Sequence, residues 1–359
     1  MNNPPDKLSK IGFDPSLLAT VSPESLEHFD IARVRAVHKD SYIVTDGENS
    51  LPAELLGKIM FNASSPLDYP AVGDWVLASF YDDNTLAIIH EILLRKSLLK
   101  RKTPGKKVEF QLIAANIDVA FIVQSLNENF NLRRLERYLV MVNEADIQPV
   151  VLLSKSDLLA SEKTAERIAE IQNIAPQLEV LPFSSENGSG LDSIQEMMRP
   201  GRTYCLLGSS GVGKTTLLNT LIGKEKYMTK TVSNKESKGR HATTHRQLIR
   251  LASGAMIVDT PGMRELGNFS AAKGVDETFA EITALAEQCR FSDCSHVAEK
   301  GCAVTGAVVQ GFLSAERYEN YLKMTKESAF HEMSYFEKRK KDKHFAKHCK
   351  SVLKQKHRR

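Results

Sequence analysis

The sequence predicts three folded regions in series: a small β-barrel, an α/β domain built around a phosphate-binding loop, and a mainly helical domain held by a metal. Three observations carry this. Short alternating apolar runs fill residues 30–95. A glycine loop, Gly208-Ser209-Ser210-Gly211-Val212-Gly213-Lys214-Thr215, stands between a strand-like run and a helix-like one. Three cysteines and a histidine (Cys289, Cys294, His296 and Cys302) fall within fourteen residues. At 359 residues the chain is too long for one ordinary domain, and its 42% apolar content suits globular folding.

Composition narrows the class further. The opening Met-Asn-Asn-Pro-Pro-Asp-Lys lacks the apolar core of a secretory leader. No apolar run approaches the roughly 20 residues of a membrane span. A cytoplasmic protein with no membrane partner is expected, and there clustered cysteines suggest metal rather than disulfides. The net charge of +4 conceals an asymmetry. Residues 338–359 hold eleven Lys/Arg against one acid, Asp342, while the remainder is mildly acidic. A basic tail of that density points to a polyanionic partner.

Residues 1–27, with Pro4, Pro5, Pro15 and Pro23, read as an N-terminal arm with at most a short helix near Ser16-Leu17-Leu18. Residues 28–97 read as the barrel. Ile31–Val37, Tyr42–Val44, Val72–Ala78 and Thr85–Ile89 are strand-like, with a turn at Asp46-Gly47. That strand density matches a closed barrel of OB type. Such barrels bind single-stranded nucleic acid or merely pack on a neighbour, and the pattern leaves both open. A basic connector follows, from Arg95-Lys96 to Lys106-Lys107, either a solvated linker or a phosphate contact.

The α/β region spans residues 98–270. Val119–Val123 is strand-like, Leu132–Leu139 an amphipathic helix, and Val150–Leu153 a buried strand ending in Ser154-Lys155-Ser156-Asp157. This segment resembles the base-recognition element of guanine-nucleotide switches, Asn-Lys-x-Asp. Asp157 would accept hydrogen bonds from guanine N1–H and the 2-amino group, and adenine would leave the carboxylate unpaired. Ser154 departs from the usual Asn. Leu178–Phe183 leads to Ser184-Ser185, similar to the second base-contacting loop.

The glycine loop comes only after these. Its glycines free the backbone N–H groups to turn toward phosphate, and the following helix, from Thr216, adds the positive end of its dipole. Lys214 would reach the β- and γ-phosphates and the Thr215 hydroxyl a Mg²⁺ ion. Lys238 to Thr244 suits a first switch, with Thr243 or Thr244 on the metal. Ala255–Val258 delivers Asp259-Thr260-Pro261-Gly262, where Asp259 would hold Mg²⁺ and the Gly262 N–H would sense the γ-phosphate. Base elements ahead of the phosphate loop mean a circular permutation, allowed where chain ends lie close together.

Residues 271–359 read as the metal-binding helical domain with its basic tail. C-x₄-C-x-H-x₅-C supplies three thiolates and one imidazole, a closed tetrahedral zinc set without an open position, hence structural. Phe312–Met324 and Phe330–Val352 read as helices.

The barrel, the permuted order, Gly239-Arg240-His241-Ala242-Thr243-Thr244, Asp259-Thr260-Pro261-Gly262 and the cysteine cluster together resemble the RsgA/YjeQ family. These are bacterial GTPases dependent on the small ribosomal subunit that act late in its assembly. The resemblance runs from about residue 30 to the C-terminus. It implies a multidomain chain with an OB-type barrel, a circularly permuted α/β P-loop GTPase domain and a zinc-binding helical domain. It implies GTP and GDP as ligands, one zinc ion, Mg²⁺ with GTP, rRNA of the small (30S) subunit as partner, and a monomer. Met263 stands where Ras-type enzymes place the water-orienting glutamine, so slow intrinsic hydrolysis is expected. His241 either orients that water or is an exposed switch residue. The other function weighed is a constitutive RNA-binding zinc protein whose nucleotide is structural.

Overall fold

The computed structural model describes residues 6–38, 41–81, 85–102, 110–223, 246–259 and 271–332. The chain forms two compact units, Met1–Gly267 and Asn268–Arg359.

In the first unit, alternation builds the barrel. Its strands are β1 (Asp30–Val37), β2 (Tyr42–Thr45), β3 (Ser50–Leu55), β4 (Trp75–Tyr81) and β5 (Leu86–Ile92). Along β3, Leu51 and Ala53 are buried while Ser50, Pro52 and Glu54 are exposed, the period-2 signature of a one-sided strand. Order β1-β2-β3-β5-β4 closes when β4 pairs back onto β1, Ile31 opposite Leu77. Irregularities at Val34/Ala36 in β1 and Leu77/Ala78 in β4 bend the strands around a core of Ala32, Val34, Val44, Val76 and Ile89.

The stretch before the barrel is built into it. Helices α1 (Asp6–Ser9) and α2 (Pro23–His28) flank a 3₁₀ turn, Pro15–Thr20, capped by Asp14. Leu8, Ile11 and Phe13 are buried, and the Phe13 ring meets Trp75 edge-on at 4.9 Å. Gly12, at φ +81°, lies so close to Gly201 that a Cβ would sit 2.1 Å from the Gly201 carbonyl oxygen.

Arg33 is the knot of this junction. Wholly buried on β1, it donates to the carbonyls of Ile11 (2.7 Å), Gly73 (3.2 Å) and Asn116 (3.2 Å), and to the Thr203 hydroxyl (2.8 Å). Its guanidinium stacks over Trp75 at 5.0 Å. Burial lowers its pKa to about 10, which leaves it charged at neutral pH.

After α3 (Gly57–Asn62) and the barrel's last strand, the expected connector proves to be a hairpin. Strands β6 (Leu98–Lys102) and β7 (Phe110–Ala115) pair antiparallel. Leu99, Leu112, Ile113, Ala114 and Ala115 are buried, and those apolar positions outweigh the intervening Lys and Arg. Lys106 and Lys107 lie outside the described residues.

The nucleotide sheet runs β10-β9-β8-β11-β13-β12. Its strands are β8 (Val119–Ser125), β9 (Gln148–Ser154), β10 (Glu179–Pro182), β11 (Thr203–Leu207), β12 (Arg246–Arg250) and β13 (Met256–Asp259), all parallel except β12. Helices α4 (Leu132–Glu144), α5 (Ser161–Ile174), α6 (Leu191–Met197) and α7 (Lys214–Ile222) alternate with them. The near-continuous apolar runs of β8, β9 and β11 follow from burial on both faces. The eleven-stranded sheet passes unbroken into the barrel, because β12 also pairs with β1.

The second unit contains α8 (Ala272–Thr278), α9 (Ala280–Ala286), α10 (Ala303–Val309) and α11 (Ala315–Glu332) around Val275, Phe279, Ile282, Val304 and Tyr321. Arg317 is buried, pairs with Glu281, donates to the Thr278 carbonyl at 3.0 Å and lies over Phe279. The sequence suggests a break after Met324, but α11 continues through it. No Gly or Pro interrupts residues 325–329, and Thr325 bonds back to the Tyr321 carbonyl at 2.9 Å. The basic tail from Lys338 lies outside the described residues. Among those described, no helix is long and apolar enough to cross a membrane.

Candidate nucleotide site and metal centre

Three loops emerge from the carboxyl ends of β9, β10 and β11, where open α/β sheets place ligands. The glycine loop follows β11. Gly208 has φ +142°, and a Cβ there would sit 2.4 Å from the Val123 carbonyl oxygen, so only glycine lets the loop leave against β8. Val212 is buried and pins the loop to the core, while Ser210 and Gly211 are exposed. Gly213, at φ +97°, caps α7 without a side-chain bond, and the nine-residue helix begins at Lys214 with its first donors facing the loop. Lys214 Nζ donates to the carbonyls of Gly208 (2.6 Å) and Ser209 (2.7 Å), which folds it over the cradle. Thr215 is exposed at the helix start and Thr216 half-buried.

The segment after β9, expected to recognise the base, is tied to this loop by Ser154. Its buried hydroxyl lies 2.6 Å from the Val212 carbonyl and 3.2 Å from that of Gln124. The serine therefore links strand end to phosphate loop, although it is shorter than the Asn usual there. Lys155 turns the chain with φ +59°, and Asp157 lies in the following 3₁₀ turn, exposed. The Ser184 hydroxyl donates to Asp157 Oδ1 and accepts from the N–H of Glu186 at 3.1 Å. The Ser156 N–H bonds the Phe183 carbonyl at 3.1 Å, and Ser185 is half-buried beside Ser184. The loops after β9 and β10 thus form one bonded unit with the Asp157 carboxylate oriented.

Asp259, half-buried, ends β13, the strand next to β11, and stands opposite Gln247 of β12. His241, Thr243, Thr244, Gly262 and Met263 lie outside the described residues.

Two residues near the loop escaped the sequence reading. Tyr138 looks like one more apolar residue of α4, yet its hydroxyl bonds the Ser209 side chain, and burial pushes the phenol up. A Tyr on a core face carries a polar handle that needs a partner, which was the available signal. Gln124, next to the end of β8, accepts from the Asn131 N–H at 3.1 Å. Its Nε2 is, among the described residues, the one buried side-chain polar atom without a partner.

Cys289, Cys294, His296 and Cys302 bring their ligand atoms within 4.8 Å of one another. The Cys289–Cys302 sulfurs are 3.9 Å apart, and both lie 3.6 Å from His296 Nδ1. Edges of about 3.5–3.8 Å follow from tetrahedral zinc with Zn–S near 2.3 Å and Zn–N near 2.0 Å, so the donor set fits. The cluster is a structural zinc site. Backbone N–H groups of Ala303 and Thr305 point at the Cys289 and Cys302 sulfurs at 3.4 Å, as thiolate ligands require. His296 takes φ +58°, and its carbonyl accepts from the Tyr318 hydroxyl at 2.5 Å. Glu299 gathers the N–H groups of Ser295, Val297 and Ala298 at 3.0 Å each. Cys205 stands apart on β11, where burial pushes its thiol up and leaves it unreactive.

Comparison with known proteins agrees with this architecture. The family model described as RsgA GTPase matches residues 92–269. The Lactiplantibacillus plantarum protein named small ribosomal subunit biogenesis GTPase RsgA 2 is 42% identical over 90% of this chain and 90% of its own. The Bacteroides thetaiotaomicron protein named small ribosomal subunit biogenesis GTPase RsgA 1 is 38% identical over 99% of each chain. The crystal structure of YjeQ from Thermotoga maritima superposes with TM-score 0.63 at 27% identity, covering 84% of this chain and 99% of that one. With a P-loop domain of permuted order, a barrel before it, a zinc knuckle after it and such relatives along nearly its whole length, the chain belongs to the RsgA GTPase family.

Proposed function

We propose that the chain is a GTP hydrolase acting as a late assembly factor of the small (30S) ribosomal subunit, bound to its rRNA and released when GTP is hydrolysed. The observation that carries this is the bonded trio of loops, in which Ser154 ties the guanine-side segment to Val212 of the phosphate loop. The relatives' names supply the small-subunit context. The chain acts as a cytoplasmic monomer.

In this reading the N–H groups from Ser209 to Thr216 surround the phosphates, with Lys214 against the β- and γ-oxygens. Asp157 holds the guanine edge, Lys155 lies along the base and Ser184-Ser185 meet O6. Thr215, Asp259 and one of Thr243 and Thr244 hold magnesium, which when bound supplies positive charge to the phosphate oxygens. The Gly262 N–H senses the γ-phosphate. His241 orients the attacking water where Met263 cannot. The basic tail and the barrel bind rRNA by neutralising phosphates.

GTP turnover with and without purified small subunits tests this. Stimulation by the particle is expected. An unchanged rate would favour a constitutive RNA-binding protein with a structural nucleotide.

A further inference from the structure

Strand β12 is the outermost strand of the nucleotide sheet, and its open edge is occupied by the barrel. Ala36 pairs with Gln247 and Val37 with Arg246, while Gln247 on its other side pairs with Asp259. Ala36 also pairs with Ile43 of β2. One transverse row therefore runs Ile43, Ala36, Gln247, Asp259 across four strands. At about 4.8 Å per strand, Ala36 lies roughly 10 Å from Asp259.

The row is held on either side of the irregularity in β1. Arg33 ties β1 to the Thr203 hydroxyl at the start of β11 and meets Met256 Sδ at the start of β13, 3.2 Å away. At the far end, Arg246, the first residue of β12, donates to the Leu112 carbonyl on β7. Between these anchors β1 has its irregularity, at Val34/Ala36. A bulge is where a strand can change twist without losing its ladder. A shift of the β12–β13 pair relative to β11 must therefore be absorbed by the last residues of β1.

We propose that the Ala36–Val37 ladder, with Arg246 as its positioning residue, transmits the nucleotide state between Asp259 and the barrel. The inference rests on the metal-holding role given to Asp259 above. By linkage it works both ways: nucleotide alters the barrel strand, and what the barrel binds alters turnover. The same ladder closes the edge to added strands from other chains.

Amide hydrogen exchange on the full chain tests the link without any particle. Exchange in the peptide covering residues 34–38 should differ at least about fivefold between GDP and a non-hydrolysable GTP analogue, the low end of ordinary couplings. Arg246→Ala should abolish that difference, and fluorescent GDP affinity near the wild-type value would show the variant folded. Arg246→Lys should restore much of it. If Arg246→Ala loses GDP binding, Arg246→Gln gives the same readout. Equal exchange in the two nucleotides for the wild-type chain overturns the proposal, as does a folded Arg246→Ala or Arg246→Gln chain that keeps the difference.

With small subunits present, Arg246→Ala should lose stimulated kcat while KM for GTP stays unchanged. A wild-type chain with nucleotide-dependent exchange but no stimulation would overturn the assembly-factor reading and leave the link standing.

Discussion

The nucleotide loops and the zinc knuckle reach order by opposite routes. The loops stand on β9, β10 and β11, in a sheet whose β8, β9 and β11 are almost wholly buried, and they are bonded to one another through Ser154 and Ser184, with Lys214 bonded back within the phosphate loop. Between Cys289 and Cys302 only His296 and Cys302 are buried. A segment with so little apolar burial cannot offset its own ordering entropy, so the ion must supply the difference. One site is made by the fold; the other makes its fold.

The sharpest way to break that contrast is to remove the metal. Structural zinc contributes about 10–16 kcal/mol in small peptides, so chelation or Cys294→Ser should unfold the knuckle. Nucleotide affinity should hold, because the loops belong to the other compact unit. Circular dichroism and fluorescent GDP titration on one sample would check this, and a joint collapse would refute it. Next in size is Lys214→Ala. Loss of one charge-stabilising donor costs about 10²–10³ in turnover, and a variant with ordinary hydrolysis would refute the phosphate-loop assignment.

Asp157→Asn probes the base side. Hydrogen bonds to a charged group contribute about 1.5–3 kcal/mol, so preference for GTP over XTP should fall by about ten- to a hundredfold. Competition binding with the two nucleotides measures it. An unchanged ratio would mean that the base lies elsewhere.

How far each region could be read from the chain follows from the same contrast. Phosphate loop and cysteine cluster were readable because each packs its chemistry into a few adjacent residues. The permuted order followed at once, and the sheet order β10-β9-β8-β11-β13-β12 agrees with it. What escaped was long-range. Leu8, Ile11 and Phe13 show no period, and their burial is created by Trp75 and Gly201 far along the chain. Nothing in the alternating run Ile31–Val37 marks Arg33 for burial, which is made by four carbonyl and hydroxyl partners from distant segments. The hairpin of β6 and β7 was masked by its basic residues. The β1–β12 ladder joins strands more than 200 residues apart, and no local pattern announces such a pairing.

Ser154 refines the comparison from the nucleotide side. Ser154→Ala leaves the buried Val212 carbonyl without its donor, a loss of about 1–2 kcal/mol. Thermal unfolding of the GDP-free chain should register it, and GTP affinity should weaken severalfold through a looser loop. If the affinity falls with no change in melting, the serine touches nucleotide rather than tying the loops together.

The smallest effect lies in the knuckle. The Ser295 hydroxyl and the N–H groups of Ala298 and Ser295 hold the Glu299 carboxyl at about 2, well below its ordinary value. A carboxylate depressed in the folded state stabilises fully above its unfolded value near 4.3 and loses that contribution as pH falls toward 2. Glu299→Gln removes it at every pH above that window. The variant should therefore release zinc to a chelator a fewfold faster at pH 7, with the gap to wild type constant down to about pH 5 and narrowing below. Because Glu299 is no ligand, nucleotide turnover without particles should not change. A variant gap that instead widened in acid would assign the turn's stability to the ligands alone and leave Glu299 a bystander.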